Sequence, residues 1–158
     1  NVVLDPDTAH CELILFDNGK SVKRGDTRQD IPDTLDRFNP RRCVLGHNSF
    51  TSGRHYWDVE VVEDAGRWAV GVSREDVKRK VYIEFKPEEG IWAVGKSAEC
   101  LKALTSPNRT LLTEIKAPRR IRVSLDYEMG LVSFFSVNEG IHIFTFPQTS
   151  FGGKKIYP

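Results

Sequence analysis

Apolar residues in this chain alternate with polar ones over short runs, and Gly, Pro, Asn and Asp interrupt the alternation about every ten residues. A period of two sends successive side chains to opposite faces of a strand, so each run can bury one face and wet the other. Runs with the 3.6-residue period that a helix needs are missing almost everywhere. The pattern therefore predicts an antiparallel all-β domain with very little helix.

The turns support this reading. Runs 11–16 and 20–22 flank Asp17-Asn18-Gly19, where Asn-Gly supplies the positive backbone angles of a tight hairpin. Runs 122–127 and 131–137 flank Glu128-Met129-Gly130, and a run at 141–146 follows Asn138-Glu139-Gly140, so three strands are expected side by side. Two short helices are expected, at 33–38 after Pro32 and at 74–80 behind Ser73 as a cap. The polar stretches 23–36 and 96–118 read as long surface loops.

The stretch TSGRHYWDVEVVEDAGRWAVGVSRE, residues 51–75, gathers Arg54, His55, Asp58, Glu60, Glu63 and Asp64 around two tryptophans. That is the raw material of an acid-base site. Strand parity separates it: His55, Trp57, Val59 and Val61 share one face, and Tyr56, Asp58, Glu60 and Val62 the other. Trp68, Val70 and Val72 likewise share a face, with Arg67, Ala69, Gly71 and Ser73 opposite. The stretch is expected to be a half-buried hairpin turning at Asp64-Ala65-Gly66, with its carboxylates on the wet side and no catalytic duty.

Bulk properties exclude several functions. Lys and Arg number 23 against 22 for Asp and Glu in 158 residues, a net charge of +1, so no global field draws the chain to nucleic acid or to an anionic membrane. The length suits a single domain, 1–158. Cys11, Cys43 and Cys100 are odd in number and far apart, which points to a reducing, cytoplasmic compartment. No apolar run reaches the roughly 20 residues of a membrane helix, and NVVLDPDTAH lacks the regions of a signal peptide, so any anchor lies outside this chain.

The search for chemistry returns little. Cys43 and His47 have no second ligand pair at finger spacing, so no metal site is expected. No Gly-x-Ser-x-Gly elbow is present, and Cys43 beside Val44 and Leu45 reads as a small buried hydrophobe. Phe151-Gly152-Gly153-Lys154-Lys155 lacks the Ser or Thr and the helix of a phosphate cradle. The basic groups Arg41-Arg42, Lys78-Arg79-Lys80 and Arg119-Arg120 read as solvated faces. No catalytic residue and no cofactor are expected.

Several ordered motifs point further: Leu4-Asp5-Pro6-Asp7-Thr8-Ala9, Arg37-Phe38 with Cys43-Val44-Leu45-Gly46, Phe50-Thr51-Ser52-Gly53-Arg54-His55-Tyr56-Trp57-Asp58-Val59-Glu60, Trp68-Ala69-Val70-Gly71-Val72 and Leu125-Asp126-Tyr127-Glu128. Together they resemble a PRY-SPRY domain, the module of tripartite-motif ubiquitin ligases and of butyrophilin tails. The resemblance covers essentially the whole chain, with a PRY part at about 1–50 and a SPRY part at about 51–158. It implies a bent β-sandwich of two antiparallel sheets and a non-catalytic, monomeric protein-interaction module, such as the substrate-recognition end of a ligase. Relatives continue past Pro158 into a closing apolar strand, so the resemblance implies that this strand lies beyond the sequence given.

In the family, loops at one end of the sandwich grip the partner. Carried over, they implicate Arg67 and Ala69, Tyr82 and Phe85, Lys96 and Ser97, with neighbours from 23–29. Aromatic burial would supply affinity there, and Arg or Lys orientation. The alternative is a butyrophilin-type sensor of a phosphorylated small molecule, with Lys78, Arg79, Lys80 and Lys96 supplying charge. Ala69 stands where relatives often carry Asp, Asn or His, and Gly95 and Ser97 stand where the antibody-binding member carries tryptophan; both departures weigh against those specialised activities.

Overall fold

The structure is a computed structural model and describes residues 1–62, 66–98 and 100–158. In chain order the strands are β1 (Leu13–Phe16), β2 (Ser21–Arg24), β3 (Arg54–Glu60), β4 (Trp68–Arg74), β5 (Ile91–Ser97), β6 (Cys100–Ala103), β7 (Thr110–Leu111), β8 (Arg120–Asp126), β9 (Leu131–Ser136), β10 (Ile141–Thr145) and β11 (Ile156–Tyr157). They form a four-stranded sheet β10-β9-β8-β3, a five-stranded sheet β11-β4-β5-β6-β7, and a separate hairpin β1-β2. Every pairing is antiparallel. Among the described residues the one helical element is a 3-10 turn, Pro87–Glu89, closed by Gly90 at φ 87°.

Turn chemistry explains the local pieces. Asp17, Asn18 and Gly19 all hold positive φ between β1 and β2, which the short Asx side chains tolerate and glycine accepts freely. β8, β9 and β10 form the expected meander. Burial alternates strictly along β8 and β9, and Ile121, Val123, Leu125, Val132 and Phe134 are at most 1% exposed. They face Val72, Trp92, Val94, Leu101 and Ala103 from the other sheet, forming one core sealed by Phe146, Phe151 and Ile156.

Three expectations need correction. The runs now seen as β3 and β4 do not form a hairpin: β3 pairs with β8, Trp57 opposite Val123, while β4 pairs with β5, Val72 opposite Trp92. Parity was right, since Trp57, Val59, Trp68 and Val70 all pack on the core and Tyr56, Asp58 and Glu60 are exposed. The two inward faces meet across the sandwich instead of side by side. The turn expected at Asp64-Ala65-Gly66 falls partly at 63–65, outside the described residues.

Neither short helix forms. At 33–38 the chain turns irregularly because Arg37 is drawn inward. At 74–80 the strand β4 persists through Ser73 and Arg74, and Val77 then drops into a second apolar cluster. Finally, 96–118 is not one loop. It contains the end of β5, then β6 and β7, whose short length and polar outward residues hid them from a search for alternation.

The N-terminal quarter is tied down by buried polar groups. Arg37, 7% exposed, donates from Nε to the Pro32 carbonyl at 2.8 Å and from one terminal nitrogen to the carbonyls of Pro6 and Ala9 at 2.9 and 2.7 Å. His10, 2% exposed, accepts the Glu12 N–H at Nδ1, 3.0 Å. Burial is the main cause holding its pKa below the ordinary 6.5, with the charges of Arg42, Arg28 and Arg24 adding to it and that of Glu12 opposing.

The sign follows from linkage: the unfolded chain binds a proton near pH 6.5, and the folded chain only at lower pH. This contribution to stability is complete above 6.5 and lost as the pH falls through the folded value. Melting temperature should therefore fall on acidification from about pH 7.5 to about pH 5, and His10→Asn, which keeps an acceptor but cannot titrate, should flatten the slope. An equally steep slope in the variant would assign the acid sensitivity elsewhere.

Candidate functional site

The outward face of the five-stranded sheet has an unusual floor. Ala69 and Gly71 of β4 lie opposite Gly95 and Ala93 of β5, all four on the side away from the main core; Ala69 is exposed and Gly71 partly so, whereas Ala93 and Gly95 are buried. Their side chains are hydrogens and methyls, and the strands approach too closely for more: a Cβ on Gly71 would lie 2.0 Å from the Trp92 carbonyl oxygen, and one on Gly95 2.8 Å from that of Trp68. Lys102 and Leu111 continue the face on β6 and β7, with Leu111 56% exposed.

One end of this floor is closed by the second apolar cluster. Phe38, Leu45, Val77 and Ile83 are buried there, and Phe85, Ile91 and Tyr157 pack on them. On its rim Arg41 lies between two rings, its guanidinium carbon 3.8 Å from the Tyr82 centroid and 4.4 Å from that of Phe85. Arg41 Nε donates to the Ile83 carbonyl at 2.8 Å, and Arg109 donates to the Phe85 carbonyl. A guanidinium held between aromatic faces is oriented before any partner arrives. Tyr82 nevertheless stays 72% exposed.

The other end carries Arg67, exposed just before β4, and Ser97, partly exposed where β5 ends; Lys96, opposite Trp68 in the register and also partly exposed, alternates onto the other side of the sheet with Trp92 and Val94. Of the six residues singled out from sequence, Arg67, Ala69 and Ser97 share the outward face at one end, Lys96 sits beside them on the opposite face, and Tyr82 and Phe85 lie at the other end on the irregular segment between β4 and β5. Arg41, Arg109, Lys102 and Leu111 were missed. Arg41 gave no signal, because a stacked arginine and a solvated one look alike in sequence. Leu111 was hidden inside a stretch read as loop.

The basic groups are largely staples. Lys80 pairs with Asp33, and Arg79 donates to the Asp36 carbonyl and lies over the Phe38 ring at 5.4 Å. Arg120 pairs with Glu60 at 2.9 Å. Arg122 grips Asp58 with two donors, at 2.8 and 3.1 Å, and covers the Tyr56 ring; that hydrogen bonding holds the Asp58 carboxyl below its ordinary range. His55 points to the opposite face, stacked on Phe50 at 3.9 Å. Asp58, Glu60 and His55 therefore do not converge. Burial pushes the Cys43 thiol up to about 11, so it is protonated at neutral pH and no nucleophile.

Residues 2–50 match the family model of the SPRY-associated domain PRY, and residues 54–158 that of the SPRY domain. Human butyrophilin subfamily 1 member A1 is 48% identical over 97% of this chain, and the bovine E3 ubiquitin-protein ligase TRIM11 is 45% identical over the same share. The chain spans only 29% and 32% of their lengths. The crystal structure of the TRIM65 PSpry domain superposes with a TM-score of 0.82 at 20% identity, covering 99% of this chain and 82% of that one. This chain belongs to the PRY-SPRY family, a family of protein-interaction modules.

Proposed function

We propose that residues 1–158 act as one recognition unit in the cytoplasm, reading a protein partner across the small-residue floor of the five-stranded sheet. The observation that supports this most is the floor itself, with a stacked Arg41-Tyr82-Phe85 anchor at one end and Arg67 at the other, beside the edge where Lys96 emerges. Flat, pre-ordered aromatic and arginine groups around a surface without side-chain bulk suit an extended segment of a partner, since little ordering entropy remains to be lost. In a tripartite-motif parent this contact would select the substrate for ubiquitin transfer by other domains.

The sensor of a phosphorylated small molecule has less support. Lys80 and Arg79 are already engaged by Asp33 and the Asp36 carbonyl, Glu84 pairs with Lys86 nearby, and Ala69 offers a methyl where a donor is needed.

The doubly substituted Arg67→Glu, Lys96→Glu variant is expected to keep its melting temperature within about 2 °C, because charges at or near the surface, paired or not, contribute little to stability. It should lose the proteins that the parent domain captures by proximity labelling in cells. Tyr82→Ala should weaken the same captures by about tenfold or more. An unchanged set of captured proteins in both variants would place recognition on another face.

A further inference from the structure

A second cluster stands on the β1-β2 hairpin, away from the floor. Gly25 donates its N–H to the Glu12 carbonyl at 2.7 Å, and Gln29 binds the carbonyls of Cys11 and Leu13 through its backbone and side chain, at 2.8 and 2.7 Å. These bonds fold the loop after β2 back along β1, which sets Arg24 and Arg28 beside Glu12. Arg42 arrives from a third segment, pinned by the His10 N–H to Cys43 carbonyl bond at 3.1 Å.

Two arginines therefore contact one carboxylate, and a third stands one register position away. Arg42 gives Glu12 a single N–H, from Nε at 3.3 Å, and Arg28 stands at 3.7 Å, an ion pair without a hydrogen bond. Arg24 stands opposite Leu13 in the β1-β2 register, one position from Glu12, and reaches the carboxylate through its charge and not through a hydrogen bond or ion pair. Glu12 is inside, its side chain 16% exposed, whereas those of Arg28 and Arg42 are 61% and 42% exposed. His10 below is uncharged at neutral pH, since burial lowers its pKa. Among the described residues no other carboxylate pairs with these arginines, so one negative charge answers three positive ones. Arg28 also walls a recess of about 100 Å³ with Gln29, Ile31, Phe38, Arg37 and Asp33, whose carboxylate is paired with Lys80.

We propose that Arg24, Arg28 and Arg42 form a binding site for a phosphorylated side chain of a partner protein, with Glu12 aligning the guanidinium groups from beneath. A phosphate monoester carries close to the two negative charges that the cluster leaves unanswered, and planar arginine forks bind its oxygens in pairs. A carboxylate would neutralise only half of the excess. Asp26 and Asp30 are exposed on the same loop and would oppose a continuous anionic membrane plane, but not a single projecting group. The site does not depend on the floor described above, and the Arg67→Glu, Lys96→Glu variant should retain it.

The probe is a short Gly-Ser-rich peptide carrying one phosphoserine, titrated into the isotopically labelled domain while the arginine Nε–H signals are followed. Its unphosphorylated twin, inorganic phosphate, and vesicles of phosphatidylcholine with phosphatidylserine are the comparisons. Saturable shifts of the Arg24, Arg28 and Arg42 signals with the phosphopeptide, and none with the twin, are expected. Affinity should fall about tenfold for Arg24→Gln and again for Arg28→Gln, exposed changes that spare the fold. Equal binding of the twin, or undiminished affinity in the double variant, overturns the site. Inorganic phosphate binding as tightly as the peptide, or vesicles binding in its place, overturns the assignment to a phosphorylated protein.

Discussion

Replacing Gly130 by alanine is expected to lower stability by about 3 kcal/mol or more, or roughly 6–12 °C of melting temperature for a domain of this size. Gly130 closes the β8-β9 turn at φ 67°, and an added Cβ would lie 1.5 Å from the Thr149 carbonyl oxygen. The obstacle is backbone, so it cannot rotate away. The 147–154 segment would have to move, breaking the Thr149 N–H to Gly130 carbonyl bond and the Gln148 bond to the Met129 carbonyl. Gly140 is the internal control, with φ 66° and nothing within 4 Å of its added Cβ. Gly140→Ala should cost only the left-handed backbone term, about 1 kcal/mol. Thermal melts of the two variants isolate the clash, and equal losses would show that the turn yields freely.

Arg37→Ala is expected to cost about 3–5 kcal/mol, because three carbonyls, of Pro6, Ala9 and Pro32, lose their donor in a place water barely reaches. Those acceptors lie in two segments far apart in sequence, so the loss should be felt as release of the N-terminal region from the sandwich. Denaturant melts should show the drop, and limited proteolysis should cut within the first 35 or so residues before the sheets unfold. Arg37→Lys should recover only part of the loss, since an ammonium group cannot reproduce the spread of the guanidinium donors. Full stability in Arg37→Ala would mean that the carbonyls find water without cost.

These two positions differ in how visible they were beforehand. Gly130 stood in a turn between two alternating runs, so its role was readable from its neighbours. Arg37 was visible only as part of a family motif, and its burial was not, because an arginine gives no local sign of whether it points to solvent or to three distant carbonyls. The candidate site divides the same way. Tyr82, Phe85, Arg67, Ala69, Lys96 and Ser97 were named from the family likeness, but the stack of Tyr82 and Phe85 on Arg41 joins residues about 40 positions apart, and no local pattern encodes such a contact. Parity alone placed Asp58 and Glu60 of the 51–75 stretch, which do face outward into ion pairs with Arg122 and Arg120, whereas Glu63 and Asp64 lie outside the described residues.

By itself the sequence determined the buried faces of β3, β4, β8 and β9 and the tight turns at 17–19, 128–130 and 138–140, because side-chain parity and backbone angles are properties of a few adjacent residues. Only the tertiary structure decided that β3 and β4 part into different sheets, that Ala69, Gly71, Ala93 and Gly95 meet as one floor, and that Arg28 and Arg42 converge on Glu12 beside Arg24. An inward apolar face is satisfied equally by a neighbour alongside or a sheet opposite. The choice between them is made by closing the whole core.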